Sequence, residues 1–278
     1  MNKEILLENP IINKAPKTQV VSVGDIAIGA GKFTVIAGPC SIESHDLFSE
    51  TAQAVKNRGA VLLRGGVWKM RTSPQAFQGL GASAFDFIKE VLQQTGLSFV
   101  AEITDPRQME LLEPIVSMYQ VGSRNMHNYA LLRELGQSKH PVLLKRGFAA
   151  YVDEWIKAAE YVHVGGNPNV ILCERGIRTF ETATRNTLDL NAVAYIKSRT
   201  SFPVIVDPSH AVGVRDLVSP LALAAAAVGA DGIIVEVHPR PAQALSDGPQ
   251  ALTFDDFQLL MQQLEKITTA LGRPLQKL

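Results

Sequence analysis

The 278-residue chain is poor in the features that assign a protein at sight. Two cysteines, Cys40 and Cys173, are too few for a disulfide framework, so a reducing cytoplasm is the expected setting. No apolar run reaches the roughly 20 residues that a membrane span needs. Even Leu221-Ala222-Leu223-Ala224-Ala225-Ala226-Ala227-Val228 falls well short. The N-terminus, Met1-Asn2-Lys3-Glu4-Ile5, lacks the apolar core of a secretory signal. Neither sign of charge is in excess: 27 Lys+Arg against 27 Asp+Glu leaves zero. Nucleic acid and anionic membranes call for a basic surplus, so neither is expected as a partner. Also missing are a P-loop lysine, a Gly-x-Ser-x-Gly elbow, and the CxxC and HExxH metal spacings. The stretch Gly79-Leu80-Gly81-Ala82-Ser83-Ala84 imitates a dinucleotide fingerprint but follows no strand signal. With no Pro/Gly/Ser linker and no low-complexity tract, one domain without an appended regulatory module is expected.

What the chain does have is a repeat of strand and helix signals. Eight short runs rich in Val, Ile and Leu lie at 33–37, 60–63, 98–102, 118–121, 141–144, 169–172, 202–206 and 232–237. Their apolar character is nearly continuous, as in parallel strands buried on both faces. Amphipathic segments fall between them, at 46–58, 84–94, 107–113, 155–164 and 188–198, and a last one covers 254–271. Asp105 is placed to cap the helix that starts near Pro106. Eight strand-then-helix units in this length predict a (β/α)₈ TIM barrel, with an open doubly wound sheet as the alternative. Residues 1–32 fall outside the repeat and 33–278 form the catalytic barrel. Within 1–32, the runs at 20–23 and 26–28 flank Gly24-Asp25 and predict a β-hairpin that closes the barrel bottom.

In a barrel of this kind, chemistry sits at the C-terminal ends of the strands. The residues just past the apolar runs sort into two sets. Arg64, Lys69, Arg71, Arg124, Lys145 and Arg175 are cations without equal local acids. Gathered in one mouth they would repel one another, and phosphate or carboxylate ligands would relieve that. The second set is Cys40, His210, Glu236 and Asp247, with His238 as a competing nitrogen. A thiolate, an imidazole and carboxylates suit a divalent transition metal, although residues this widely separated are more often satisfied structural ones. Cys173, inside an apolar run, reads as packing.

Several ordered motifs resemble 3-deoxy-D-arabino-heptulosonate-7-phosphate (DAHP) synthase, in its short type I beta branch. They are Gly38-Pro39-Cys40-Ser41, Lys69-Met70-Arg71-Thr72-Ser73-Pro74, Gly122-Ser123-Arg124-Asn125, Cys173-Glu174-Arg175-Gly176, Asp207-Pro208-Ser209-His210 and Glu236-Val237-His238-Pro239. The resemblance implies a metal-dependent (β/α)₈ enzyme that condenses phosphoenolpyruvate with erythrose 4-phosphate. By that resemblance Cys40, His210, Glu236 and Asp247 hold the metal (Mn, Fe, Co, Zn or similar). Arg64, Lys69, Arg124, Lys145 and Arg175 bind phosphoenolpyruvate, and Arg71, Thr72 and Asp207 face erythrose 4-phosphate. Lys69, His210 and Cys40 carry the chemistry, with Lys69 donating to the developing alkoxide. The family also implies a homodimer or homotetramer. Glu102, Glu174 and His210 all remain candidates for activating water. Met70 stands where the family usually has proline, which implies a looser loop or simple drift. The alternatives are 3-deoxy-D-manno-octulosonate-8-phosphate synthase, a specialised-pathway paralogue, and a non-catalytic phosphoenolpyruvate-binding protein.

Overall fold

A computed structural model describes residues 17–71 and 73–278. The expectations placed on residues 1–16 and on Thr72 lie outside the described residues. Eight parallel strands pair into a closed barrel, which excludes the open doubly wound sheet. In chain order they are β3 (Thr34–Gly38), β4 (Leu62–Arg64), β5 (Ser98–Ile103), β6 (Met118–Val121), β7 (Val142–Lys145), β8 (Val170–Glu174), β9 (Val204–Val206) and β10 (Gly232–Glu236). Strand β10 closes the ring by pairing with both β3 and β9. Each sequence run holds one strand, with ends displaced by a residue or two.

The inner and outer faces of the barrel follow from the period of two along a strand. Val35 and Ala37, Phe99 and Ala101, and Ile233 and Val235 turn outward into one apolar cluster with the helices. Their neighbours Ile36, Val100 and Ile234 join Leu62, Leu143, Ile171 and Ile205 in a second cluster inside the barrel. Both faces are apolar, so the runs read as continuous rather than alternating.

The hairpin forms from β1 (Val21–Val23) and β2 (Ile26–Ile28), with Val23 opposite Ile26 across the Gly24-Asp25 turn. Val21, Val23, Ile26 and Ile28 are buried in the inner cluster, so the hairpin plugs the barrel. Its flanks meet the N-terminal ends of the strands. Gln19 bonds Pro168 and Ser201 carbonyls, and Lys197 bridges Thr18 and Asp231. The bottom is therefore sealed, and the barrel interior can open only at the other end.

The intervening helices pack outside. Helix α1 (His45–Asn57) is capped by Ser44, and α2 (Phe85–Thr95) ends on Gly96 in the left-handed region. After β5, Asp105 and Gln108 form a capping box around the Pro106–Gln108 turn. Only the four residues of α3 (Met109–Leu112) follow, so this predicted helix is shorter and tighter than the pattern suggests. Next come α4 (Tyr129–Gly136), α5 (Val152–Val164), α6 (Leu190–Arg199), the short α7 (Pro208–Val212), α8 (Arg215–Val228) and α9 (Phe254–Ala270). The apolar stretch 220–228 lies in α8, which buries Ala222, Ala225 and Ala226. No helix among the described residues is long and apolar enough to cross a membrane.

Candidate active site

Counting two residues on from an inward apolar residue gives the next inward residue, now at the open end. Leu62 leads to Arg64, Val100 to Glu102, Leu143 to Lys145, Cys173 to Arg175, Ile205 to Asp207 and Ile234 to Glu236. The strand period thus aims a ring of charged side chains into the mouth.

Four donor groups meet at one side of it. Cys40, His210, Glu236 and Asp247 each offer an atom, and these lie within 4.8 Å of one another. Cys40 Sγ donates to Asp247 Oδ2 at 3.1 Å, and His210 Nε2 is 3.0 Å from Glu236 Oε1. Asp247 is the one non-glycine residue with positive φ among the described residues, at 53°. Asp tolerates that conformation, and strain of this kind concentrates at functional positions. One sulfur, one imidazole nitrogen and two carboxylates, gathered from distant loops, fit a first-row divalent ion. His238 does not belong to the group. Its Nδ1 accepts from Arg240 N at 3.0 Å, and its Nε2 faces Glu43 at 3.6 Å.

Further buried partners brace the donors. Asp207 accepts from His210 Nδ1 at 2.7 Å and from Lys145 Nζ at 2.5 Å, and caps α7 through His210 N. Burial would push the His210 imidazolium down, but Asp207 and Glu236 outweigh it and hold its pKa up at about 10. A divalent ion must displace that proton, because metals bind neutral imidazole. Burial opposes the Glu236 charge too, but His210 and Arg64 keep its pKa well below the usual range. Arg64 Nη1 bonds Glu236 Oε1 at 3.1 Å and the Pro39 carbonyl at 2.9 Å. Gln250 donates to the other Glu236 oxygen at 2.6 Å and accepts from Arg185 at 3.0 Å, while Arg185 also reaches Asp247.

Beside the donors opens a cavity of about 340 Å³, lined by Arg64, Lys69, Arg71, Arg124, Lys145, Arg175 and Arg185. Its lining carboxylates are only two, Glu102 and Asp247. All six cations expected to converge therefore do so. Lys69 Nζ lies 3.2 Å from both Cys40 Sγ and the Cys40 carbonyl, and 3.7 Å from Glu102 Oε2. Gly66 allows this approach, since a Cβ there would stand 2.6 Å from Lys69 Cδ. Arg71 donates to Ser246 Oγ at 2.6 Å. Met70 also lines the cavity, and its sulfur accepts from Asn125 Nδ2 at 3.2 Å. Asp207, expected to face a sugar phosphate, is 1 % exposed beneath the cavity and saturated by Lys145 and His210.

The three candidates for activating water separate here. Glu174 is fully buried and held by Arg146 at 3.1 Å and by Gly176 N at 2.6 Å, so it faces protein. Both His210 nitrogens are engaged. Glu102 alone of the three presents a carboxylate to the cavity without a tight partner.

Three neighbours escape a reading of strand ends. Arg185 comes from the loop after β8, well past the strand, and Gln250 from a turn before α9. Phe148 is apolar and so carries no charge signal, although it stands only three residues beyond Lys145 and lines the cavity.

The family model for the DAHP synthetase I family matches residues 10–273. The chain belongs to this family. It is 48 % identical over 257 residues to phospho-2-dehydro-3-deoxyheptonate aldolase of Thermotoga maritima, covering 92 % of this chain and 76 % of that one. The crystal structure of the Thermotoga maritima DAHP synthase superposes with a TM-score of 0.92 at 46 % identity, over 96 % of this chain and 79 % of that chain. A 2-dehydro-3-deoxyphosphooctonate aldolase of Bordetella petrii is more distant, 30 % identical over 84 % of this chain and 90 % of its own length. The similarity thus favours the heptulosonate branch over the octulosonate one.

Proposed function

We propose that the chain condenses phosphoenolpyruvate with erythrose 4-phosphate and water, giving DAHP and inorganic phosphate at the entry to the shikimate pathway. The supporting observation is the excess of cations around one cavity that adjoins a Cys/His/carboxylate donor group: seven Lys and Arg line it against Glu102 and Asp247, and they still outnumber the carboxylates when the buried Glu236 and Asp207 are counted. Two phosphates and a carboxylate must share this mouth, and only such a surplus offsets their charge. Holding both substrates in attack geometry can remove roughly 7–11 kcal/mol of barrier, so much of the site is positioning apparatus.

In this reading Arg64, Arg124, Lys145 and Arg175 hold phosphoenolpyruvate, and Arg71, with Thr72 beside it in sequence, grips the aldose phosphate. Asp207 is reassigned, because its carboxylate is spent on His210 and Lys145 and fixes the orientation of both. Cys40, His210, Glu236 and Asp247 would hold a divalent ion, which when bound would supply Lewis acidity to the aldehyde. The donor set accepts Mn, Fe, Co, Zn or Cu, among which availability selects. C3 of phosphoenolpyruvate bonds to the aldehyde carbon, and Lys69 donates a proton to the oxygen as it becomes an alkoxide. Water adds to C2 and gives its proton to Glu102. The C2 hydroxyl of the hemiketal phosphate then gives its proton to the departing phosphate as the bond from C2 to the phosphate oxygen breaks, leaving the C2 ketone of DAHP and inorganic phosphate. The free thiols of Cys40 and Cys173 support a reducing, cytoplasmic setting.

Offering equal erythrose 4-phosphate and arabinose 5-phosphate with phosphoenolpyruvate tests the substrate assignment. The expected product by mass spectrometry is the seven-carbon acid phosphate. A predominance of the eight-carbon product would overturn it.

A smaller probe tests Glu102. A Cβ on Gly122 would overlap Glu102 Oε1 and displace the end of this flexible side chain, leaving the fold unstrained. Gly122→Ala is therefore expected to lower kcat by about a hundredfold with an unchanged melting temperature. A kcat within twofold of wild type would remove Glu102 from the water step.

A further inference from the structure

Phe148 lies at the rim of the cavity, half-buried, on the loop that follows β7. Three guanidinium groups from separate positions crowd its ring. Arg175 Cζ is 4.8 Å from the ring centroid, Arg178 Cζ 4.9 Å and Arg124 Cζ 5.4 Å. None of the three arginines is in an ion pair among the described residues. Arg175 gives one N–H each to the Gly176 and His210 carbonyls and keeps its other donors, and burial lowers its pKa. The backbone fixes the arrangement, since Arg178 N donates to the Phe148 carbonyl at 2.7 Å.

Asp207 and Glu174 act on Arg175 only at a distance, and three like charges gathered without a direct ion pair gain from the face of an aromatic ring within about 6 Å. A carboxylate in the same place would neutralise the arginines and compete with an incoming anion. A ring attracts them without occupying their hydrogen-bond donors, which stay free for phosphate oxygens.

We infer that Phe148 is a positioning residue for the phosphoenolpyruvate subsite. Its ring holds Arg124 and Arg175 ready for the anion and brings in Arg178 as a further anion-binding group. This rests on the assignment of Arg124 and Arg175 to phosphoenolpyruvate. The ring contacts that fix it are with these arginines, so it acts on binding and leaves the chemical steps alone.

The test is calorimetric titration of the full-length, metal-loaded protein with phosphoenolpyruvate, alongside steady-state kinetics. Phe148→Leu keeps apolar bulk and removes the ring, whereas Phe148→Tyr keeps the ring face. Loss of the ring is expected to weaken phosphoenolpyruvate binding about tenfold and raise its KM alike, with kcat within twofold. Tyr is expected to restore wild-type affinity. Arg178→Ala is expected to weaken binding in wild type and to have a much smaller effect in Phe148→Leu. Wild-type affinity in Phe148→Leu would overturn the inference. Equal weakening in the Leu and Tyr variants would also overturn it, by showing that packing alone matters. Wild-type protein that binds no phosphoenolpyruvate would overturn the functional reading itself, together with this inference.

Discussion

Cys40→Ala is expected to lower turnover at least about a thousandfold while the barrel stays folded. A metal-bound Lewis acid supplies several kcal/mol of charge stabilisation, and each 1.36 kcal/mol is tenfold in rate. The thiol is the one soft donor of the group and is buried, and its sulfur also meets Ser246 Oγ and Lys69 Nζ at 3.2 Å. Losing one sulfur atom opens little space, so circular dichroism and the melting temperature of the metal-free protein should stay close to wild type. Elemental analysis after gel filtration should find the variant depleted of metal. Cys40→Ser separates two effects, since it keeps a donor in place but replaces soft sulfur with hard oxygen. Near-normal turnover in Cys40→Ala would remove the sulfur from the mechanism.

The largest expected loss of stability comes from a residue that touches no substrate. Arg146 is 4 % exposed and serves Glu174 at 3.1 Å, Asp189 at 2.8 Å and the Ala150 carbonyl at 3.0 Å, with Trp155 beneath it. Glu174 is fully buried, and burial raises its pKa despite Arg146. Arg146→Met leaves that carboxylate uncompensated in the interior, at a cost of about 3–5 kcal/mol. Urea unfolding should show the loss as a lowered midpoint with little change in slope. Arg146→Met/Glu174→Gln removes the stranded charge and should recover a good part of it. A loss below about 1 kcal/mol in the single variant would mean that water or a rearranged neighbour reaches Glu174.

Much of this was legible in the sequence because strand period and barrel geometry are stiff rules. Once the apolar runs are taken as parallel strands, position along each one fixes which residues enter the mouth. Arg64, Lys145 and Arg175 followed from that alone. The metal donors did not, since Cys40 and Asp247 are 207 residues apart and only the closed ring brings them together. His238 shows the limit of the reading. It lies two residues past Glu236 as Arg175 lies two past Cys173, but its ring turns to Glu43 and Arg240. Asp207 and Glu174 show another, because a carboxylate at a strand end can be spent inside the protein. A charge count cannot distinguish that from a free one. Phe148 and Gln250 carried no charge at all, so a search for charge passed over both. The α3 segment departed from its pattern because the Asp105/Gln108 box and Pro106 fit a tight turn, with only one helical turn after it.

The most direct measurement of the central claim is inorganic phosphate release from phosphoenolpyruvate plus erythrose 4-phosphate. It should be followed before chelation, after chelation and after Mn²⁺ is restored. Rapid release that requires erythrose 4-phosphate, stops with chelator and returns with Mn²⁺ is the predicted result. Release that continues unchanged after the metal is stripped would contradict the account, as would no release from the metal-loaded protein.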